Sequence, residues 1–179
     1  MAVRYLWLVI ALLMPGWAQA QHEFSTSDGV LRLTVPAGLV QSAPSRQPGI
    51  VLILTAKNPN SKARSACALT VLRRRLGPGR DAVKVCESAA GSYGETLGAP
   101  PSPTQVKLGN ARYWKTHYRL KANSMTDGEV IERDFYGHYD AGTGELLLIL
   151  VQCPEGTAKS VWGQFDVVLD SLEMSPATR

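Results

Sequence analysis

Residues 130–152 read VIERDFYGHYDAGTGELLLILVQ, and this stretch decides the fold. Val130 to Tyr139 is a strand whose polar side carries Glu132, Asp134, Tyr136 and His138 at alternate positions. Asp140 to Gly144 (DAGTG) is a turn. Glu145 to Gln152 (ELLLILVQ) is apolar almost without alternation, which is the mark of a buried strand.

The segments on either side extend the pattern. Upstream, Val106 to Leu108, Gly109-Asn110 and Ala111 to Leu120 read as a strand, a tight turn and a long strand, and Asn123 to Gly128 is a second turn. Downstream, Val161, Phe165, Val168, Leu169 and Leu172 share one face of a helix, because side chains at this spacing return to the same side every 3.6 residues.

Nearer the start, Val30 to Val35 alternates and reads as a first strand, ended by Pro36-Ala37-Gly38. Phe24 to Gly29 is a polar lead-in, and Gln41 to Gly49 a loop. Ile50 to Thr55 (IVLILT) reads as a strand covered on both sides, and Ala66 to Leu72 (ACALTVL) as its hairpin partner, with Cys67, Leu69 and Val71 on one face. After Gly77-Pro78-Gly79, Asp81 caps a helix whose apolar stripe is Val83, Cys86, Ala90, Tyr93 and Leu97; Gly91 and Gly94 weaken its far end. Two helices flanking a largely antiparallel sheet make an α+β architecture, with no internal repeat.

Three stretches resemble the PsbP-like family of small exported α+β domains. They are DGVLRLTVPAGL (Asp28 to Leu39), VKLGNARYWKTHYRL (Val106 to Leu120) and FDVVLDSLEMS (Phe165 to Ser175). The resemblance implies a PsbP-like sandwich over most of residues 21–179. The family includes photosystem subunits and binding or adaptor proteins, and it has no shared catalytic set to carry over; such a fold hosts unrelated activities.

Residues 1–20, MAVRYLWLVIALLMPGWAQA, read as a cleaved export signal: a positive Arg4, an apolar run from Leu6 to Met14, and a small-x-small site at Ala18-Gln19-Ala20. Cleavage near Ala20 leaves about 159 residues, one ordinary domain over 21–179, in the periplasm or secreted. No later apolar run is long enough to span a membrane. The remaining 18 Lys+Arg against 15 Asp+Glu are only a mild excess, which argues against a nucleic-acid partner.

Cys67, Cys86 and Cys153 allow three pairings in an oxidising compartment. Cys67 and Cys86 meet if the first helix packs on the Cys67 face, and this is the favoured pair. The spacings offer no CxxC, and the scattered His22, His117 and His138 offer no HxH or HExxH, so neither a metal site nor a cofactor is expected.

The strongest partner-binding surface is the polar face of the meander. Tyr113, Lys115, His117 and Arg119 share one side of their strand. With the turn centred near Met125, His117 falls opposite Asp134, Arg119 opposite Glu132 and Tyr113 opposite His138, so Tyr113, Lys115, His117, Arg119, Glu132, Asp134, Tyr136 and His138 form one patch. An anion-binding group is Arg73, Arg75, Arg80 and Lys84; alternation turns Arg74 away from Arg73 and Arg75. Trp114 and Trp162 fall on core faces. The favoured function is a non-enzymatic exported domain binding a protein or envelope partner, in an adaptor or immunity-type role. The rivals are a hydrolase using a His/carboxylate pair, which lacks a GxSxG elbow, and a small-ligand or metal carrier.

Overall fold

The computed structural model describes residues 21–43, 46–56, 67–91, 96–99, 101–121 and 128–175. The expected signal segment, the turn around Met125 and Tyr93 lie outside these residues.

The chain order is β1 (His22–Ser25), β2 (Leu31–Val35), β3 (Leu39–Gln41), β4 (Ile50–Ala56), β5 (Cys67–Arg75), α1 (Ala82–Gly91), β6 (Thr104–Leu108), β7 (Ala111–Leu120), β8 (Ile131–Asp140), β9 (Glu145–Pro154), α2 (Lys159–Asp170) and β10 (Glu173–Met174). Two antiparallel sheets result. The large one runs β3-β4-β5-β9-β8-β7-β6, and the small one runs β1-β2-β10.

β9 lies at the centre of the large sheet, between β5 and β8. That position explains its unbroken apolar run, because both of its faces are covered. Leu147, Ile149, Val151 and Cys153 face a core shared with β2 and α2, where Phe165 and Val168 are fully buried. Leu146, Leu148 and Leu150 face a second core under α1, with Phe135, Tyr118 and Tyr139. The small sheet and α2 thus cover one face of the large sheet, and α1 covers the other.

α1 sits close to the sheet because β8 carries a glycine beneath it. A Cβ at Gly137 would lie 2.6 Å from Cys86 Sγ. Asp81 caps the helix as expected, its Oδ1 accepting the Lys84 N–H at 3.1 Å. At the other end of the molecule, Gly109 (φ 51°) lets the β6–β7 turn dock on the end of α2, where a Cβ would fall 1.5 Å from the Leu172 carbonyl oxygen.

Several expectations are corrected. Residues 22–25 are a strand rather than a polar lead-in: they pair along β2, and Phe24 packs against the core. β3 (Leu39–Gln41) is a further short strand, which meets the expected loop at Gln41. β4 is fully covered on one side only, with Leu52, Leu54 and Ala56 buried and Ile53 and Thr55 half-exposed, since α1 packs mainly on β7 and β8; Ile50 at its start packs against the core under α1. α1 ends at Gly91, which leaves Leu97 exposed outside the helix.

The Cys67–Cys86 pairing is also corrected. The three cysteines are free and buried. Cys67 lies in the core under α2 and Cys86 in the core under α1, so the sheet itself separates them.

Candidate functional site

Two groups of charged side chains stand out, one on each face of the large sheet. The first is the meander patch. The β7–β8 register places His117 opposite Asp134, Arg119 opposite Glu132 and Lys115 opposite Tyr136. Asp134 is the hub. Its carboxylate accepts from Lys115 Nζ at 2.8 Å, from His117 Nδ1 at 2.7 Å and from the Tyr136 hydroxyl at 3.2 Å. The Lys115 ammonium also lies 5.2 Å from the centre of the Tyr136 ring, within cation–π range.

A carboxylate can only accept, so His117 carries its proton on Nδ1 and turns Nε2 outward. His138 donates from Nδ1 to the Arg112 carbonyl at 2.8 Å, which fixes the same tautomer. Its ring leans on Tyr113, with centroids 5.4 Å apart.

The patch is less open than its alternation implies. Tyr113 and Tyr136 are buried (0% and 4% exposed), so neither can meet a partner, which corrects their expected place on the surface. The reason is what packs on this face: α2 over Tyr136, and β10 over Tyr113, whose hydroxyl meets Met174 Sδ at 3.1 Å. Burial pushes both phenols well above the usual tyrosine range, and at Tyr136 the nearby Asp134 carboxylate adds to it. Burial, and then the neighbouring Asp170 carboxylate, also raise the Asp166 carboxyl on α2, while Lys115 draws it back. Arg119 stands opposite Glu132 in register, yet it ion-pairs with Glu155 in the loop after β9. The patch is therefore largely satisfied from within.

The second group lines a cleft of about 510 Å³ between α1 and the large sheet. Leu76, Val85, Leu146 and Leu148 form its apolar part, and Arg74, Arg80 and Lys84 its cationic rim. β5 runs on through its three arginines because β9 pairs with all of them, Arg74 standing opposite Leu146 on the α1 side. The rim cations are exposed, and among the described residues none of them forms an ion pair. The one acid in the lining, Asp81, is engaged in capping α1.

This corrects the expected anion-binding group. Arg80 and Lys84 are together, but their companion is Arg74. Arg73 points to the opposite face and ion-pairs with Asp28 and Glu145. Arg75, opposite Glu145 in register, does not line the cleft. Strand alternation already separated Arg74 from its neighbours; what the sequence lacked was which face α1 would cover. Among the described residues, no three His, Cys, Asp or Glu side chains converge on a point that could hold a metal ion. No described helix is long and apolar enough to cross a membrane.

No protein-family description matches the chain, and no curated protein matches its sequence. Solved structures do match. LpqN of Mycobacterium tuberculosis, described as involved in cell envelope biogenesis, has a TM-score of 0.63 at 11% identity, covering 88% of this chain and 91% of that one. The cyanobacterial PsbP of Synechocystis has a TM-score of 0.54 at 12% identity, with 88% and 94% covered. The Ran-binding protein Mog1p of Saccharomyces cerevisiae has a TM-score of 0.56 at 10% identity, with 88% and 96% covered. The chain also matches a Bacteroides thetaiotaomicron structure at a TM-score of 0.56, spanning 49% of that longer chain. The domain therefore has the α+β fold shared by PsbP and Mog1, as its sequence resemblance implies.

Proposed function

We propose that this chain is an exported binding domain, periplasmic or secreted after cleavage near Ala20, which takes an acidic partner at the α1 cleft. The partner is a protein or an envelope component, and the role is that of an adaptor or immunity-type protein. The observation that carries the reading is the rim of Arg74, Arg80 and Lys84, three cations that stand beside apolar side chains and have no counter-ion among the described residues. Desolvating a cation is unfavourable unless a partner supplies the opposite charge, so such a rim favours an anionic ligand and disfavours a cationic one. A volume of about 510 Å³ suits a few acidic and apolar side chains or one headgroup. The likeness to a Ran-binding protein and to an envelope-biogenesis protein agrees with partner binding.

The test uses the double charge reversal Arg80→Glu/Lys84→Glu. Envelope extract is passed over wild type and variant, and both are sedimented with phosphatidylglycerol vesicles. A partner or vesicle held by wild type, released by salt and lost in the variant supports the reading. Equal behaviour of the two proteins overturns it. Export itself is tested by sequencing the amino end of the protein recovered from the periplasm.

The hydrolase reading rests on His117 and Asp134. Their hydrogen bond is present, but among the described residues no serine or cysteine bonds to the His117 ring. The binding reading therefore has the fuller support.

A further inference from the structure

Cys67 opens β5, and Cys153 lies near the end of β9. The ladder between these strands runs through Ala68 opposite Gln152, and one step further sets Cys67 opposite Cys153. Both side chains are fully buried, in the same core. Directly opposed residues of an antiparallel pair have Cα atoms about 4.5–5.5 Å apart. A disulfide spans about 4.4–6.8 Å. A ladder continued by that one step holds the two Cα atoms at the separation a bond needs, and the two thiols are in hydrogen-bond contact. Cys86 lies across the sheet, held against Gly137.

We propose that Cys67 and Cys153 are a disulfide site, closed by exchange with a disulfide donor while the chain folds, and that Cys86 stays a free thiol. The chemistry balances. The Cys67 thiolate attacks the donor's disulfide, forming a mixed disulfide and expelling one donor thiolate. The Cys153 thiolate then attacks the Cys67 sulfur, closing the bond and expelling the second. Two protein thiols are oxidised, one donor disulfide is reduced, and the two protons pass to the donor thiols.

The local chemistry favours this order. The hydrogen bond from Cys153 lowers the Cys67 thiol to about 7 despite its burial, and the Thr157 hydroxyl, 3.8 Å away, adds to this. Once the pair has come together, Cys67 is the readier thiolate of the two. The same hydrogen bond and burial raise Cys153. Burial raises Cys86 to about 11 as well, and the sheet separates it from the other two thiols.

The bond ties β5 to β9 at the end of their ladder and closes the whole chain between them into one loop. The proposal concerns the folding chain itself, and the export reading adds only a compartment in which the bond would last.

The experiment reduces and unfolds the purified chain and refolds it in glutathione disulfide. The folded fraction is isolated by gel filtration, and its thiols are alkylated in denaturant. Wild type is expected to show one alkylated cysteine, Cys86, the mass loss of two hydrogens, and one peptide pair joining Cys67 to Cys153. A Cys86→Ala variant should show no alkylated cysteine. Reduction should lower the melting temperature of both by roughly 5–15 °C, and leave that of Cys153→Ala unchanged. Three alkylated cysteines in the folded fraction, or a bridge through Cys86, would overturn the proposal. Because the refolding is done in vitro, failure of the export reading leaves its result untouched.

Discussion

Nδ1 of His117 lies 2.7 Å from Oδ1 of Asp134, across a strand pair whose register puts the two residues face to face. The contact belongs to a larger arrangement in which one carboxylate, with a side chain only 15% exposed, also receives Lys115 and Tyr136. The histidine side chain is 48% exposed. The two ends of the hydrogen bond therefore differ in what their loss would cost.

Replacing Asp134 leaves a lysine, a histidine and a buried phenol without their shared acceptor. Asp134→Ala is expected to cost about 1–3 kcal/mol, whereas His117→Ala costs below about 1 kcal/mol. Urea unfolding of both variants measures the difference, and equal losses would show that Asp134 is no hub.

Gly137 is required by packing. A Cβ there meets Cys86 Sγ and lies 3.4 Å from the Phe135 ring, so α1 must shift off the sheet. Gly137→Ala should destabilise by about 1–3 kcal/mol. Pairing it with Cys86→Ala, which removes the sulfur, should recover part of that loss; strict additivity in a double-mutant cycle would contradict the contact.

Gly109 is required by its backbone. Its positive φ and the Leu172 carbonyl both exclude a side chain. Gly109→Ala should cost more than about 1 kcal/mol, and amide exchange should quicken at Asn110 and Met174, which bond across this junction. Unchanged exchange at those two amides would refute the docking role.

The Asp28 carboxyl is held at about 2 by hydrogen bonds from Thr26, Arg73 and the Val30 amide. Its folded value is below its unfolded value. The stability it contributes is therefore complete above about pH 4 and lost as pH falls through about 2. Asp28 is largely exposed, so the contribution is small. In acid titrations followed by circular dichroism, Asp28→Asn should lose less stability than wild type between pH 4 and 2. An identical slope would mean that the Arg73 contact carries no weight in solution.

Much of the β7–β8 arrangement was legible in the residues. The turn near Met125, together with the alternation of both strands, placed His117 against Asp134 correctly, because a register error of one would have exposed Phe135 and Tyr118. The burial of Tyr113 and Tyr136 was not legible. Their strands look half-polar, and the elements that cover them, α2 and β10, are distant in sequence. The arginine cleft failed for the same reason, since alternation divides side chains between two faces without saying what covers each.

The sequence alone determined the longer strands, both helices and the antiparallel pairing along the meander, since these follow from local periodicity and turn chemistry, but not the short strands β1, β3 and β10. Only the tertiary structure decided that β9 lies between β5 and β8, bringing Cys67 beside Cys153, and that α1 and α2 take opposite faces of the sheet. Those choices depend on contacts between residues far apart in the chain, where the free energy comes from burying whole faces against one another and no short pattern records which face meets which.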